Sequence, residues 1–468
     1  MEIIDKRTIV LYNKSMKKPK TIYVCNECGS ENSKWMGQCP VCGAWNSFFE
    51  QKIVDVDEKD SRRRSSAQSK TVQPHKILDI TTSNEQRIDT GIGEFNRVLG
   101  GGLVLGSLSL ITGEPGIGKS TLIVQAAANI AQLGSVLYVS GEESEEQIKM
   151  RADRVCKAEA LENLFLLAET NIEAILEAAK TMKPKLLIID SIQTMYSEEL
   201  ESAPGSVSQV RQVGNLLMTL GKTENIPIFI VAHVTKSGEL AGPKIVEHLV
   251  DTVLEFSGER SGDLRILRAV KNRFGTTSEI GAFDMQEEGL IEIENLSGVF
   301  LDGMKEAEGS VATAVYEGTR PLLLELQALT SPCAAGFPMR RSVGVDSNRL
   351  SMIIAVLEKK AKLNLFSTDV YINIVGGFKP QGTSTDLAVA LAIWSEKTGK
   401  VIPKDLLAVG ELGLTGELRP IQNCEKLLKE AERMGFKEAL IPKRNAEKLK
   451  GKFSIKVHGI SNIKEALN

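Results

Sequence analysis

Residues 113 to 121 read Gly-Glu-Pro-Gly-Ile-Gly-Lys-Ser-Thr, a spacing suited to holding a triphosphate. Gly113, Gly116 and Gly118 let backbone N–H groups curl around an anion. Lys119 sets a point charge against the β- and γ-phosphates, and Ser120 offers a hydroxyl to Mg²⁺. Glu114, Pro115, Ile117 and Thr121 complete the loop. A second set of groups could act on the bound phosphates. Glu142 in Ser-Gly-Glu-Glu-Ser is placed to orient an attacking water, with Glu143 as the alternative. Asp190 ends Leu-Leu-Ile-Ile-Asp and could hold Mg²⁺ through water or through Ser120. His233 ends Ile-Phe-Ile-Val-Ala-His, where it could sense a γ-phosphate or serve structure alone. Lys271 and Arg273 stand together in Lys-Asn-Arg-Phe-Gly, a pair that suits a phosphate clamp if a neighbouring subunit brings a nucleotide to it, and a solvated surface otherwise.

The other chemical cluster is Cys25-x₂-Cys28-x₁₀-Cys39-x₂-Cys42. Two such knuckles aim four thiolates at one ion, and Gly29 and Gly43 follow where the chain must bend back. Four thiolates without a redox partner favour structural zinc, with iron as the chemical competitor. A segment this short cannot bury a stable core, so the metal supplies much of its folding energy. Trp35, Trp45, Phe48 and Phe49 are expected to pack around the knuckles or to form a contact surface. The remaining cysteines, Cys156, Cys333 and Cys424, are scattered and read as small apolar residues.

These groups need elements to position them. Ser107–Thr112 reads as a strand, and Leu122, Ile123, Ala126, Ala127 and Ile130 recur at helical spacing. Strand, loop and helix in that order put phosphates at a helix N-terminus, where the backbone dipole favours anions. Val136–Ser140, Leu186–Asp190 and Ile228–His233 read as further buried strands, each ending in a polar group, and Leu264–Val270 as a strand closed by the Lys-Asn-Arg-Phe-Gly turn. Short β-rich runs alternating with helical stretches predict an α/β core with a mainly parallel sheet. The pattern changes near Gly309. Ser310–Tyr316 and Pro321–Leu329 read as paired strands, Arg349–Lys362 as an amphipathic helix, Val370–Val375 as a strand and Asp386–Lys397 as an apolar helix. Val409–Ile421 reads as two short strands around glycine turns.

The order of cysteine knuckles, phosphate loop, Ser-Gly-Glu-Glu-Ser, Leu-Ile-Ile-Asp-Ser and Lys-Asn-Arg-Phe-Gly resembles the RadA (Sms) family of bacterial DNA repair proteins, and the core resembles the RecA ATPase fold. The resemblance implies a DNA-dependent ATPase that binds single-stranded DNA and drives branch migration of recombination intermediates as a helicase-like homo-hexamer. It implies ATP, Mg²⁺ and Zn²⁺, and RecA recombinase or replicative-helicase-associated proteins as partners. Lys119 and Ser120 would bind phosphate and metal, Glu142 would be the catalytic carboxylate and Asp190 the second acid. Lys271 and Arg273 would act on the nucleotide of an adjacent subunit; Asn272 and Phe274 carry no derivable role. The channel loops of RecA-like cores correspond to Tyr196–Gln209 and Lys236–His248, which are rich in Gly, Pro, Ser and charge and so suit mobile loops. Lys236, Lys244 and Arg211 would then meet DNA phosphates.

Residues 309–468 resemble the proteolytic domain of Lon, best over Gly410–Ile421, which raises a rival function as an ATP-dependent serine protease. That chemistry needs a serine beside a lysine base. Ser384 falls at the nucleophile position, but Glu425 occupies the lysine position. Lys426 lies one residue on, rotated by about 100° on a helix. Residues 309–468 are therefore expected to be a protease scaffold without the dyad, and Ser384 a helix cap or a turn residue.

The division expected from sequence is a metal-binding segment over 1–49, a flexible linker over 50–72, where acidic and then basic polar runs cannot pay for ordering, an ATPase over 73–300 and the Lon-like domain over 309–468. The 468 residues carry 57 Lys and Arg against 60 Asp and Glu, so any nucleic-acid site must be a local patch or a channel. No apolar run is long enough to span a membrane, and Met-Glu-Ile-Ile-Asp-Lys-Arg has no secretory core; a cytoplasmic protein is expected.

Overall fold

The computed structural model describes residues 20–25, 30–53, 87–232, 241–258, 263–333, 337–380 and 382–467. Cys28, His233, Lys236 and most of the expected linker fall outside them.

Three antiparallel strands, β1 (Lys20–Cys25), β2 (Glu31–Asn32) and β3 (Phe48–Ile53), make the first unit, in the order β2-β1-β3. Lys20 pairs with Ile53, so the unit runs past the boundary expected at residue 49. The two tryptophans do not wrap the knuckles. Trp35 is 55% exposed and Trp45 72%, while Phe48 packs with Cys25 and Cys39.

The second unit follows in chain order: β4 (Arg87–Ile88), α1 (Gly93–Leu99), β5 (Leu103–Val104), β6 (Leu108–Gly113), α2 (Lys119–Ala131), β7 (Val136–Ser140), α3 (Glu145–Val155), β8 (Leu164–Ala168), α4 (Ile172–Met182), β9 (Leu186–Asp190), α5 (Val207–Glu224), β10 (Ile228–Val231), α6 (Ala241–Leu249), β11 (Thr252–Gly258), β12 (Leu264–Asn272), β13 (Ile280–Gln286) and β14 (Gly289–Glu292). The sheet order is β14-β13-β12-β11-β6-β10-β9-β7-β8. From β11 to β8 the strands are parallel, and β12 to β14 add an antiparallel edge. Every residue of β6, β7, β9 and β10 is buried, as parallel strands covered by helices on both faces require. Two apolar layers result, one on each face of the sheet: Leu110, Val139, Leu187 and Ile230 turn one way, and Ile111, Tyr138, Ile188 and Val231 the other.

After α7 (Leu296–Leu301) comes a mixed sheet built from β15 (Ser310–Glu317), β16 (Arg320–Pro332), β17 (Arg340–Val343), β18 (Thr368–Ile374), β19 (Leu406–Ala408), β22 (Glu438–Pro442) and β23 (Lys456–Ile460), in the order β17-β18-β16-β15-β19-β22-β23. β20 (Glu411–Leu412) and β21 (Leu418–Arg419) form a separate ribbon. The helices are α8 (Ser347–Ala361), α9 (Asp386–Thr398), α10 (Cys424–Arg433), α11 (Lys443–Leu449) and α12 (Ile463–Ala466). Alternation along β15 sends Val311 and Val315 toward α8 and α9, and Ala312 and Ala314 toward α10.

The second unit and this domain share packing. Ile266, Ile280 and Ala282 join the apolar cluster of the second sheet. Arg320 reaches the buried Glu94 at 2.6 Å, Arg268 reaches Glu317 at 3.1 Å, and the Arg268 guanidinium lies 4.9 Å from the centre of the Phe378 ring. No helix among the described residues is long and apolar enough to cross a membrane.

Candidate nucleotide and metal sites

β6, β7, β9 and β10 end at the same edge of the sheet. Ser140 is level with Asp190, Asp190 with Val231, and Val231 with Ile111. The loop 113–118 leaves from that edge into α2, so open amides at a helix start face the strand tips where ligands bind in open α/β sheets. Glycine is required by shape at two positions. A Cβ on Gly113 would sit 2.5 Å from the Phe256 carbonyl oxygen, and Gly118 has φ +115 with Met285 Cε 2.5 Å from its Cβ position. The Lys119 side chain is buried, and its Nζ donates to the carbonyls of Gly113 at 2.8 Å and Glu114 at 3.0 Å. Burial lowers its ammonium to about 8, against the opposing pull of Asp190 and Glu142.

Ser120 Oγ donates to Asp190 Oδ2 at 2.9 Å. A hydroxyl and a carboxylate meeting at the loop are hard oxygen donors, the set that Mg²⁺ takes alongside water and phosphate. The same Oδ2 accepts from Tyr138 Oη at 2.5 Å. Ser191 Oγ donates to Glu142 Oε1. Glu143 is engaged elsewhere: both of its oxygens accept from the Arg151 guanidinium, at 2.7 and 2.5 Å. Ser144 then opens α3 with a capping box closed by Gln147. Tyr138, Ser191 and Arg151 were not singled out from sequence. The available signal for Tyr138 was one polar-tipped ring inside the otherwise apolar Val-Leu-Tyr-Val.

The basic turn lies at the opposite edge. β12 continues two residues beyond Val270, so Lys271 and Asn272 are strand residues. Asn272 pairs with Thr252, and Thr252 with Ser109, whereas Gly113 pairs with Phe256. The turn is therefore about four strand residues, or about 13 Å, from the chain's own phosphate loop along the sheet. Lys271 Nζ donates to the Glu247 carbonyl at 2.7 Å, and Arg273, 56% exposed, lies 3.3 Å from Asp251. Burial and the neighbouring Arg273 charge lower the Lys271 pKa. Asn272 gains a role that its sequence context did not supply. Its Nδ2 donates to the Val98 carbonyl at 3.2 Å and its Oδ1 accepts from the Phe274 N–H at 2.9 Å, fixing the turn to α1.

Of the expected DNA contacts, Arg211 is exposed on α5 and Lys244 lies in α6. The segment expected to be mobile over Tyr196–Gln209 is laced together. The buried Gln209 side chain accepts from the Ser197 N–H at 2.8 Å and donates toward the carbonyls of Ser197, Leu200 and Ser202 at 3.0–3.1 Å. One amide can satisfy a turn whose composition alone suggests freedom.

In the first unit the Sγ atoms of Cys25, Cys39 and Cys42 lie within 4.8 Å of one another. The Gly43 N–H donates to the Cys39 carbonyl at 2.9 Å, with Gly43 at φ +74, which curls the second knuckle back on itself. Three convergent thiols, with Cys28 three residues on from Cys25 in the sequence, fit a tetrahedral thiolate site.

Ser384 does not cap α9; the residue before that helix is Thr385, and it makes no side-chain cap. Ser384 Oγ donates to the Ala314 carbonyl at 3.2 Å, and its own carbonyl accepts from the Gly410 N–H at 2.8 Å. Lys426 Nζ lies 2.5 Å from the Tyr316 hydroxyl, above that ring, and Glu425 pairs with Lys452 at 3.3 Å. Neither reaches the serine hydroxyl.

Comparison with known proteins matches the family described as AAA domain over residues 73–239, the rubredoxin metal binding domain over 23–50 and the ChlI subunit of Mg-chelatase over 341–445. The crystal structure of the RadB recombinase aligns with 44% of this chain and 99% of its own, at 22% identity and TM-score 0.36. DNA repair protein RadA of Bacillus subtilis is 49% identical over 97% of this chain and 99% of its own length. That of Halalkalibacterium halodurans is 47% identical over 97% and 99%. With identity sustained through the cysteine unit, a RecA-like ATPase core and a Lon-like domain, the chain belongs to the RadA family of DNA repair proteins.

Proposed function

We propose that this chain is a DNA-dependent ATPase that moves along single-stranded DNA and promotes branch migration of recombination intermediates, working as a homo-hexameric ring. The observation that carries the reading is the separation of the phosphate loop from the Lys271–Arg273 turn on opposite sheet edges. A phosphate clamp there serves no nucleotide of its own chain, but a head-to-tail ring brings each turn to the next subunit's loop. In that ring Lys119 and Ser120 bind ATP and Mg²⁺, and Asp190 holds the metal's water shell. Glu142 orients the attacking water, and Lys271 and Arg273 stabilise charge in trans. Mg²⁺ held by Ser120 and, through water, by Asp190 would supply neutralising charge for the transferring phosphate. The engagement of Glu143 with Arg151 supports Glu142 as the water-facing acid.

His233 is read as the γ-phosphate sensor, and Lys236, Lys244 and Arg211 as contacts to the strand. Zn²⁺ is held by Cys25, Cys28, Cys39 and Cys42. RecA recombinase or replicative-helicase-associated proteins are the expected partners, in the cytoplasm. The test is phosphate release with and without single-stranded DNA, read beside molar mass in solution. Stimulation in a particle of about six chains is expected; a monomer indifferent to polynucleotides would refute the reading.

A further inference from the structure

Tyr138 is a fully buried tyrosine in the middle of β7, with its ring in the apolar layer beneath α2. Its hydroxyl extends along the strand to Asp190 Oδ2 at 2.5 Å, the same oxygen that accepts from Ser120 at 2.9 Å. A carboxylate oxygen has two lone-pair directions in its plane. Both are taken on Oδ2, one by a residue of the phosphate loop and one by the core.

We propose that Tyr138 is a positioning residue for the metal-facing acid of the nucleotide site. By filling the second lone pair of Oδ2 it fixes the carboxylate plane and bars that oxygen from binding a metal ion directly. That oxygen then meets the ion only through Ser120 and bound water. Ser120, in the first turn of α2, carries a hydroxyl that can rotate toward an incoming ion, whereas the Tyr138 ring is anchored by packing. The tyrosine therefore keeps Asp190 in place through both states. This rests on the nucleotide-site reading above, and it adds an outer-shell group of the kind that tunes metal affinity without touching the ion.

Tyr138→Phe removes the hydroxyl and keeps the ring. The full-length variant is loaded with a non-hydrolysable ATP analogue and titrated with Mn²⁺ by electron paramagnetic resonance. Affinity for a fluorescent nucleotide is measured separately without metal. The expected result is Mn²⁺ affinity weakened about ten-fold, with metal-free nucleotide affinity held within about two-fold. In a double-mutant cycle, Asp190→Asn is expected to cost less Mn²⁺ affinity in the Tyr138→Phe background than in the native one. Unchanged Mn²⁺ affinity would mean that the buried hydroxyl merely needed an acceptor, and the proposal falls. A parallel loss of metal-free nucleotide binding, or simple additivity in the cycle, overturns it too. If the native protein adds nothing to the analogue's own hold on Mn²⁺, the nucleotide-site reading fails at its root.

Discussion

Two serines near helix starts invite a catalytic reading, Ser120 and Ser384, and only the first is surrounded by chemistry. At the start of α2, Ser120 meets Asp190 from a strand tip seventy residues away in sequence, and the partner acid Glu142 is held by Ser191. Ahead of α9, Ser384 gives its proton to a backbone carbonyl, and the nearby helical lysine is committed to a tyrosine. Both places read from the sequence as positions for a reacting group. Fold supplies a location; function needs side chains that converge on one point. The charged groups near Ser384 are also engaged in structure: the Arg349 guanidinium bonds both oxygens of the buried Asp386, whose Oδ2 also accepts from the Leu412 N–H.

Substitutions can break that contrast. The largest effect is expected for Lys119→Ala, which should lower ATP turnover at least about a thousand-fold in a phosphate-release assay. Arg273→Ala should cost about as much in turnover while leaving nucleotide affinity intact. Mixing the two inactive variants should restore part of the rate, since a ring can pair a sound loop with a sound turn. Failure of the mixture to recover any activity would argue against action in trans.

Arg349→Met should destabilise the Lon-like domain by about 3 kcal/mol, because it strands a buried carboxylate; calorimetry should show that loss while nucleotide affinity holds. Ser191→Ala should lower kcat about ten-fold at unchanged KM, since it loosens the hold on Glu142 without touching the phosphate cradle. An altered KM with intact kcat would reassign Ser191 to binding. Smallest of all, Ser384→Ala should cost about 1 kcal/mol of stability or less and change neither ATPase nor peptide hydrolysis. Loss of a casein-degrading activity in that variant would erase the distinction between the two helix starts.

Much of the architecture was legible in the chain. The phosphate loop, the buried strands ending at Ser140 and Asp190, the paired strands after Gly309 and the helix opening at Asp386 all announce themselves through period, turn residues and apolar runs. The knuckle spacing likewise names its chemistry. Local misreadings had local causes. The polar run after Phe49 concealed a strand that pairs with Lys20–Cys25. The serine-rich stretch before α5 gave no hint that Gln209 ties it down.

What the sequence determined by itself is the set of short-range devices: a glycine loop that must cradle an anion, two cysteine knuckles, and strands buried on both faces. These follow from residues within one turn or one strand of each other. Tertiary structure alone decided which distant groups meet. Strand order and register brought Tyr138 and Ser120 to one oxygen of Asp190, gave Glu143 to Arg151, set Lys271 and Arg273 on the far edge from their own loop, and turned Ser384 toward a carbonyl. The reason is physical: side-chain period is written locally, but the separation between residues far apart in the chain is fixed only once strands pair and one register wins.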